Sequence, residues 1–322
     1  MKRFAYRNTA TIAEAVSLLK AGNAAILAGG TDILNLLKTG ALTNPPETLV
    51  NIKNISGLNS ISEDSGGLKI GATARLSDIA SSKIVRRGYS ALAEAAESVA
   101  SPPLREMGTI AGNLCQEVQC WYFRRSFLTG TFFDCLRKGG KQCYAVGGEN
   151  RYHAILGGKK CFAVCPSDTA IALTALDASI VTNKRNIPIG GFFEMLGNVL
   201  DRGEIITAIQ IPAPKSGTQQ VFIKFALRPA IDFAVVSVAA AITIKRRKVS
   251  DARIVLGAVA PVPYRAIGAE DVLKGNVIDA PTAETAAADA VKDALPLSCN
   301  KYKIQIARAL VKRAILRNQK QY

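Results

Sequence analysis

Residues Ile26 to Gly40 read ILAGGTDILNLLKTG. An apolar run, Ala24 to Ala28, stops at the pair Gly29-Gly30. Thr31 and Asp32 follow, and then Ile33, Leu34, Leu36 and Leu37 in a helix-like pattern. Adjacent glycines allow a tight turn and leave backbone N–H groups uncovered by side chains. Thr31 or Asp32 is placed to cap the next segment. The result is a small nest of donors at a helix start, suited to an anionic oxygen and above all to a pyrophosphate. The spacing is neither G-x-G-x-x-G nor G-x-x-x-x-G-K-[ST], so the Rossmann and P-loop readings do not apply. A plain strand-to-helix turn is the structural alternative.

Downstream, Leu104 to Gln116 reads LREMGTIAGNLCQ, with Gly108-Thr109 and Gly112-Asn113 around an Ile-Ala pair. Backbone is again bared beside small side chains, which makes this a second candidate cofactor loop. Around the two loops the periodicity predicts helices over Thr11–Leu19, Leu76–Ala80, Tyr89–Ala100 (stopped by Pro102-Pro103) and Thr169–Leu176. Strands are predicted at Thr48–Ile52, Leu68–Ile70, Ala178–Val181 and Ile205–Ile211. Beyond the Pro-rich stretch Pro212–Gly217, the apolar β-branched runs Gln220–Leu227, Ala234–Ile244 and Ala252–Val259 read as strands. Pro281–Ala294 and Lys301–Leu316 read as closing helices.

With 322 residues and 48% hydrophobic content, the chain predicts two globular domains at about 150 residues each. No apolar run reaches the ~18 residues of a membrane span, and MKRFAYRNTATIAEAV has no apolar signal segment. The expected location is the cytoplasm, or the periplasm if the chain travels with a signal-bearing partner. There are 41 basic against 25 acidic residues, a formal charge of +16. The basic residues are scattered, apart from short clusters at Arg124-Arg125, Lys159-Lys160 and Lys245–Lys248, and aromatics are only 6%. That pattern lacks the stacking platforms of a nucleic-acid binder. It fits an acidic partner subunit or a polyphosphate cofactor equally well.

The cysteines carry the second signal. Six of seven lie between Cys115 and Cys165, with Cys299 apart. Clustered thiols point to metal or redox chemistry. Cys120, Cys135, Cys143 and Cys161 are separated by 14, 7 and 17 residues, with no C-x-x-C pair. Four thiolates suit a [4Fe–4S] cluster or a zinc ion, and spacing does not separate the two. Glycine pairs at 139-140, 147-148 and 157-158 would let the chain wrap a compact object. Trp121, Tyr122, Phe123, Phe127, Phe132 and Phe133 would shield it. The stretch has no sustained period and reads as an insertion ordered by something other than its own core. Cys115 and Cys165 are spare thiols. The lone histidine, His153, reads as a loop or packing residue. No Ser/His/Asp or Cys/His constellation is present.

AGGTD (Ala28 to Asp32), TIAGN (Thr109 to Asn113) and PSD (Pro166 to Asp168) together resemble the FAD-binding motifs of the flavin subunit of xanthine oxidase family molybdenum hydroxylases. The likeness spans essentially the whole chain. NLCQEVQC (Asn113 to Cys120) and KKC (Lys159 to Cys161) resemble its [4Fe–4S]-bearing subtype, found in the 4-hydroxybenzoyl-CoA reductase β subunit and the FAD subunit of a bacterial aldehyde oxidoreductase. The implied fold class is α+β: a two-subdomain FAD-binding fold of the PCMH/vanillyl-alcohol-oxidase type plus a smaller C-terminal α/β domain. Residues 1–215 would bind FAD, with a subdomain split near 55 and an iron–sulfur insertion at 115–165. Residues 216–322 would form the second domain. The resemblance implies that Ala28, Gly29, Gly30, Thr31 and Asp32 hold the pyrophosphate. It implies that Thr109, Gly112 and Asn113 line the second FAD loop, and that Asp168 bonds the ribose. Lys224 would lie near the isoalloxazine, with a solvated strand-edge lysine as the alternative, and Val99 and Ile206 would make apolar flavin contacts. Cys120, Cys135, Cys143 and Cys161 would hold the cluster. The implied partners are a large molybdenum-cofactor subunit, a small subunit with two [2Fe–2S] clusters and an external carrier such as ferredoxin. No nucleic acid and no membrane are expected. Two competing readings are a stand-alone flavin oxidoreductase with structural zinc, and a basic nucleic-acid-binding protein with a four-cysteine zinc module.

Overall fold

The computed structural model describes residues 2–126, 128, 130 and 132–319. Among these, strands form three principal sheets and a two-stranded ribbon. Ala5–Asn8, Thr48–Asn51 and Ala24–Leu27 run parallel, with Thr48–Asn51 in the middle. Parallel neighbours need crossovers, and the helices Ile12–Ala21 and Ile33–Thr39 lie in them. The first begins on a reciprocal cap. Glu14 N donates to Thr11 Oγ1 (3.2 Å), and Ala10 N donates to the Glu14 carboxylate (3.0 Å). Its Ala15 and Leu19 face packs with Val50 and Ile52.

The second sheet is antiparallel in the order Ile61–Asp64, Gly67–Gly71, Ile206–Pro212, Ser179–Thr182, Asn186–Pro188. Gly67–Gly71 and Ile206–Pro212 are neighbours in space and remote in sequence, so residues 72–205 make one long excursion between them. That excursion carries the helices Leu76–Ser81, Ser90–Ser98 and Asp168–Ala175, which pack on the sheet around Tyr89, Leu92, Ile171 and Leu173. The helix predicted to reach Ala100 stops at Ser98. Val99 is extended and Ala100 adopts φ 48°. Pro102 does not stop that helix. It opens the next one, Pro102–Arg105, where its missing N–H costs nothing.

The third sheet is antiparallel: Thr218–Phe225, Val236–Lys245, Lys248–Gly257 and Tyr264–Arg265. Ile267–Leu273, Ala280–Asp289 and Tyr302–Arg317 complete this domain. Val236 through Ile244 are buried throughout, because both faces of the strand are covered. Val238, Ala240, Ile242 and Ile244 join the C-terminal core, whereas Ala239 and Ala241 join the core of the second sheet. Period-two alternation thus reads two different cores, and one strand joins the domains. The Lys245–Lys248 basic cluster is the hairpin turn, with Arg246 and Arg247 at φ 50° and 66°. No described helix is long and apolar enough to cross a membrane.

Residues 115–165 contain the short helix Trp121–Arg124 and a 3-10 turn at Leu136–Lys138. The two halves of this insertion are tied to different domains. Arg137 donates to Met195 O (2.7 Å), and Ser126 Oγ donates to Thr39 O. On the other side, the Asn150 amide donates to Ser298 Oγ (3.0 Å) and its carbonyl oxygen accepts from Cys299 N (2.8 Å). Fully buried Lys303 and Asn300 both donate to His153 O, at 3.0 and 3.1 Å. Between the ties lies an aromatic nest, with Tyr122 and Phe133 centroids 4.9 Å apart and Trp121 and His153 5.5 Å apart. The insertion therefore does have a small core of its own. Phe132 lies under the Lys138 ammonium, 4.6 Å from ring centroid to nitrogen. Phe127, expected among the shielding aromatics, falls outside the described residues.

Candidate functional site

The two glycine loops meet. A Cβ on Gly29 would lie 2.0 Å from Met107 O, so the first loop can touch the second only as glycine. Gly30 adopts φ 73°, the left-handed region that glycine enters without strain. The second loop opens the helix Ile110–Leu114, with Gly112 N donating to Thr109 Oγ1 (3.2 Å). Buried Asn113 fixes this helix against a third segment. Its Oδ1 accepts from both Ser167 Oγ and Thr169 Oγ1, each at 2.6 Å. Ser167 in turn caps Asp168–Ala175 by accepting from Ala170 N (3.1 Å).

The three segments border a cleft of about 460 Å³ between the domains, within the ~300–1,000 Å³ usual for cofactor pockets. Ala28, Gly29, Gly30, Thr31, Asp32, Val99, Thr109, Gly112, Asn113, Asp168, Ile206 and Lys224 all line it. Apolar Ile26, Ile52 and Leu76 share the wall with the bared loops. Such a mixed lining suits a molecule with a flat apolar ring at one end and a charged chain at the other.

Two acidic residues hold other partners. Asp32 stands at the N-cap position of Ile33–Thr39 but makes no side-chain cap bond. Its carboxylate instead accepts from Arg124 (2.6 Å) and from Glu117 N (2.8 Å). It therefore ties the first loop to the insertion, and the sequence-based capping role is corrected on that ground. Asp168 accepts from Lys224 Nζ at 2.7 Å, and Lys224 also donates to Ser98 O at 2.9 Å. Lys224 is thus not a solvated strand-edge lysine, since its side chain is 10% exposed. Burial pushes the Asp168 carboxyl up, and the Lys224 ammonium opposes that shift.

Some lining residues carried no sequence signal. Arg124 was legible only as part of a basic pair, and its role depends on Asp32 across the fold. Ile231 sits at the cleft with φ 72° and donates its N–H to Ala100 O (2.9 Å). A β-branched residue in the left-handed region costs roughly 1–3 kcal/mol, and nothing in the sequence announces it. Asp232 and Phe233 join Ile231 and Lys224 in bringing the second domain to the cleft.

The four grouped thiols lie outside the cleft lining but next to it. Gln119 lines the cleft, and Cys120 follows it. Cys120, Cys135 and Cys161 share one small core, and the Cys143 thiol acts electrostatically on Cys161. The neighbouring Cys143 thiol, reinforced by the Arg137 guanidinium, pulls Cys161 down, whereas burial pushes Cys120 up to about 11. Arg137 also donates to the Glu117 carboxylate (3.1 Å), and its buried Nε has no partner. His153, expected as packing, is 3% exposed and turns Nε2 to Cys120 Sγ at 3.3 Å. Burial, then the Lys303 ammonium, pushes it down to about 4. The two spare thiols lie elsewhere: Cys115 is exposed at the cleft, and Cys165 is buried in the core of the second sheet. Among the described residues, no group of three or more His, Cys, Asp or Glu side chains is arranged to hold a single metal ion.

A family model described as the FAD binding domain in molybdopterin dehydrogenase matches residues 2–214. The chain belongs to this family. The CO dehydrogenase flavoprotein C-terminal domain matches residues 222–318. The aldehyde oxidoreductase FAD-binding subunit PaoB of Escherichia coli K12 is 36% identical over 280 residues, 82% of this chain and 84% of that one. Carbon monoxide dehydrogenase from Hydrogenophaga pseudoflava superposes with a TM-score of 0.78 at 27% identity, covering 98% of this chain and 96% of that one. Quinoline 2-oxidoreductase from Pseudomonas putida 86 gives 0.77 at 26% identity, covering 99% of both chains. Membership in the molybdopterin dehydrogenase flavoprotein family makes this an FAD-binding oxidoreductase subunit. It sets aside both the zinc-bearing stand-alone enzyme and the nucleic-acid-binding protein.

Proposed function

We propose that the chain carries FAD in the interdomain cleft and a [4Fe–4S] cluster on Cys120, Cys135, Cys143 and Cys161. Electrons would pass between the [2Fe–2S] clusters of a small partner subunit, the flavin and this cluster, to or from an external carrier such as ferredoxin. Substrate chemistry would belong to a large molybdenum-cofactor subunit. The domains are read as 1–215, with the split near 55 and the insertion 115–165, and as 216–322. The free thiols suit a reducing compartment, here the cytoplasm.

The observation that carries the reading is the convergence of all three glycine and PSD segments on one cleft, with the four thiols beginning one residue beyond its lining. Gly29, Gly30 and Thr31 with Thr109 and Gly112 would take the pyrophosphate, and Asp168 would bond the ribose. Val99 and Ile206 would cover the ring. FAD supplies hydride and single-electron chemistry when bound, and a cluster supplies single-electron transfer. Lys224, held by Asp168 and Ser98 O, would lie near the ring, where a positive charge can stabilise the reduced anionic flavin. Asp32 contributes through Arg124, which it holds at the cleft wall. For the cluster, soft thiols and the orphaned buried Nε–H of Arg137 beside Cys161 fit an anionic iron–sulfur group.

The test is the absorption spectrum of anaerobically purified protein with flavin, iron and sulfide analysis. The expected content is one flavin with about four irons and four sulfides per chain, beyond those of co-purified subunits. Flavin without iron would sink the cluster and keep the FAD reading. A chain that takes up no FAD on reconstitution would sink the whole proposal.

A further inference from the structure

We infer that His153 is a positioning residue that raises the potential of the proposed cluster by donating its Nε2–H to the Cys120 sulfur. This rests on the cluster reading above. The ring is 3% exposed and makes one polar contact among the described residues, Nε2 to Cys120 Sγ at 3.3 Å. Nδ1 is buried with no partner. A neutral imidazole has a single N–H. On Nδ1 that proton would be an orphaned buried donor, and Nε2 would turn a lone pair toward sulfur. On Nε2 the donor is satisfied, and only an acceptor remains unpaired, the less costly of the two. The surroundings therefore select the tautomer that donates to the thiolate.

Packing does not explain a histidine here. The ring lies against Trp121 at 5.5 Å and Tyr122 at 6.1 Å between centroids. A phenylalanine would fill the same space without burying an unpaired nitrogen. The one thing it would lack is the Nε2–H. The backbone is held independently of the ring. His153 N donates to Asn150 O (2.9 Å), and His153 O accepts from Lys303 and Asn300. The C-terminal domain thus fixes where the imidazole stands, and it stands at the cysteine that follows cleft-lining Gln119. Hydrogen bonds to cluster sulfurs stabilise the more negative, reduced state and so raise the potential.

The experiment is a redox titration of the anaerobic holoprotein, following the cluster by EPR and the flavin by absorbance. His153→Phe, with full iron content, is expected to lower the cluster midpoint and leave that of the flavin in place. His153→Gln, which keeps an N–H at similar reach, is expected to fall between the two. If His153→Phe fails to load iron, His153→Met, also without a donor, takes its place with the same expectation. An unchanged cluster midpoint in a loaded, donor-free variant would overturn the inference and leave the cluster standing. Wild-type protein without iron and sulfide would instead overturn the cluster reading, and this inference with it.

Discussion

The cleft and the thiol nest are built on opposite plans. The cleft is bordered by loops that join regular elements, each with its own local logic: a glycine turn, a capped helix start, a Ser cap on the next helix. The nest has almost no regular structure. It is held by residues that reach in from two domains, Asp32 and Met195 on one side and Ser298, Asn300 and Lys303 on the other. A site on regular elements is specified locally and tolerates change elsewhere. A site on an insertion inherits the stability of whatever clamps it, and here the clamp is polar and spread over the whole chain, with Asn300 and Lys303 buried.

The largest separation between the two plans is expected from a cysteine variant. Cys135→Ser should remove most of the cluster iron and nearly all electron transfer to an external acceptor, with flavin content unchanged. Metal and flavin analysis of one sample reads both. Flavin lost together with iron would show that the cleft depends on the nest.

The converse variant is Gly29→Ala. Its methyl would lie 2.0 Å from Met107 O, a backbone atom, so the two loops must part. Overpacking of this kind costs roughly 1–3 kcal/mol, which predicts a loss of FAD affinity on the order of 10–100-fold. Fluorescence titration with FAD measures it. Iron content should hold, and a parallel fall in iron would break the distinction drawn here.

The smallest effect concerns the clamp. Burial lowers Lys303 to about 7, against ~10.4 in an unfolded chain. Between these values the unfolded chain binds more protons than the native one. The penalty is therefore full below pH 7 and disappears above the unfolded value, so stability should rise as pH goes from 7 toward 10. Thermal unfolding of wild type and Lys303→Met across that range tests it, with the extra slope confined to wild type. An equal slope in both would remove Lys303 from the clamp.

Much of this was legible in residue order. The turn at Gly29-Gly30 is governed by backbone freedom, which a sequence displays directly, whereas the caps at Thr109 and Ser167 emerged only in the structure, and the cap expected of Asp32 did not form. The apolar runs of the third sheet were equally plain, although their ends shifted to Thr218–Phe225, Val236–Lys245 and Lys248–Gly257. Pairing register sets such ends, and apolarity does not. The crowding of six cysteines into one stretch pointed to their shared place, with Cys115 and Cys165 as spares, and the fold sets those two apart from the other four. Cys165 falls into a different core because its neighbour Asp168–Ala175 packs on the second sheet.

What residue order determined by itself, then, was the set of local devices: the bared loops, the apolar strands and the supply of thiols. The tertiary structure decided which devices face one another. It turned the Asp32 carboxylate away from its own helix start and toward Arg124, because a guanidinium from the insertion arrives within 2.6 Å. It placed Ile231 in a left-handed backbone at the cleft, and it set His153 against Cys120. Each of these depends on a partner 33 or more residues away in the chain, and no local propensity carries information about a partner brought in by folding.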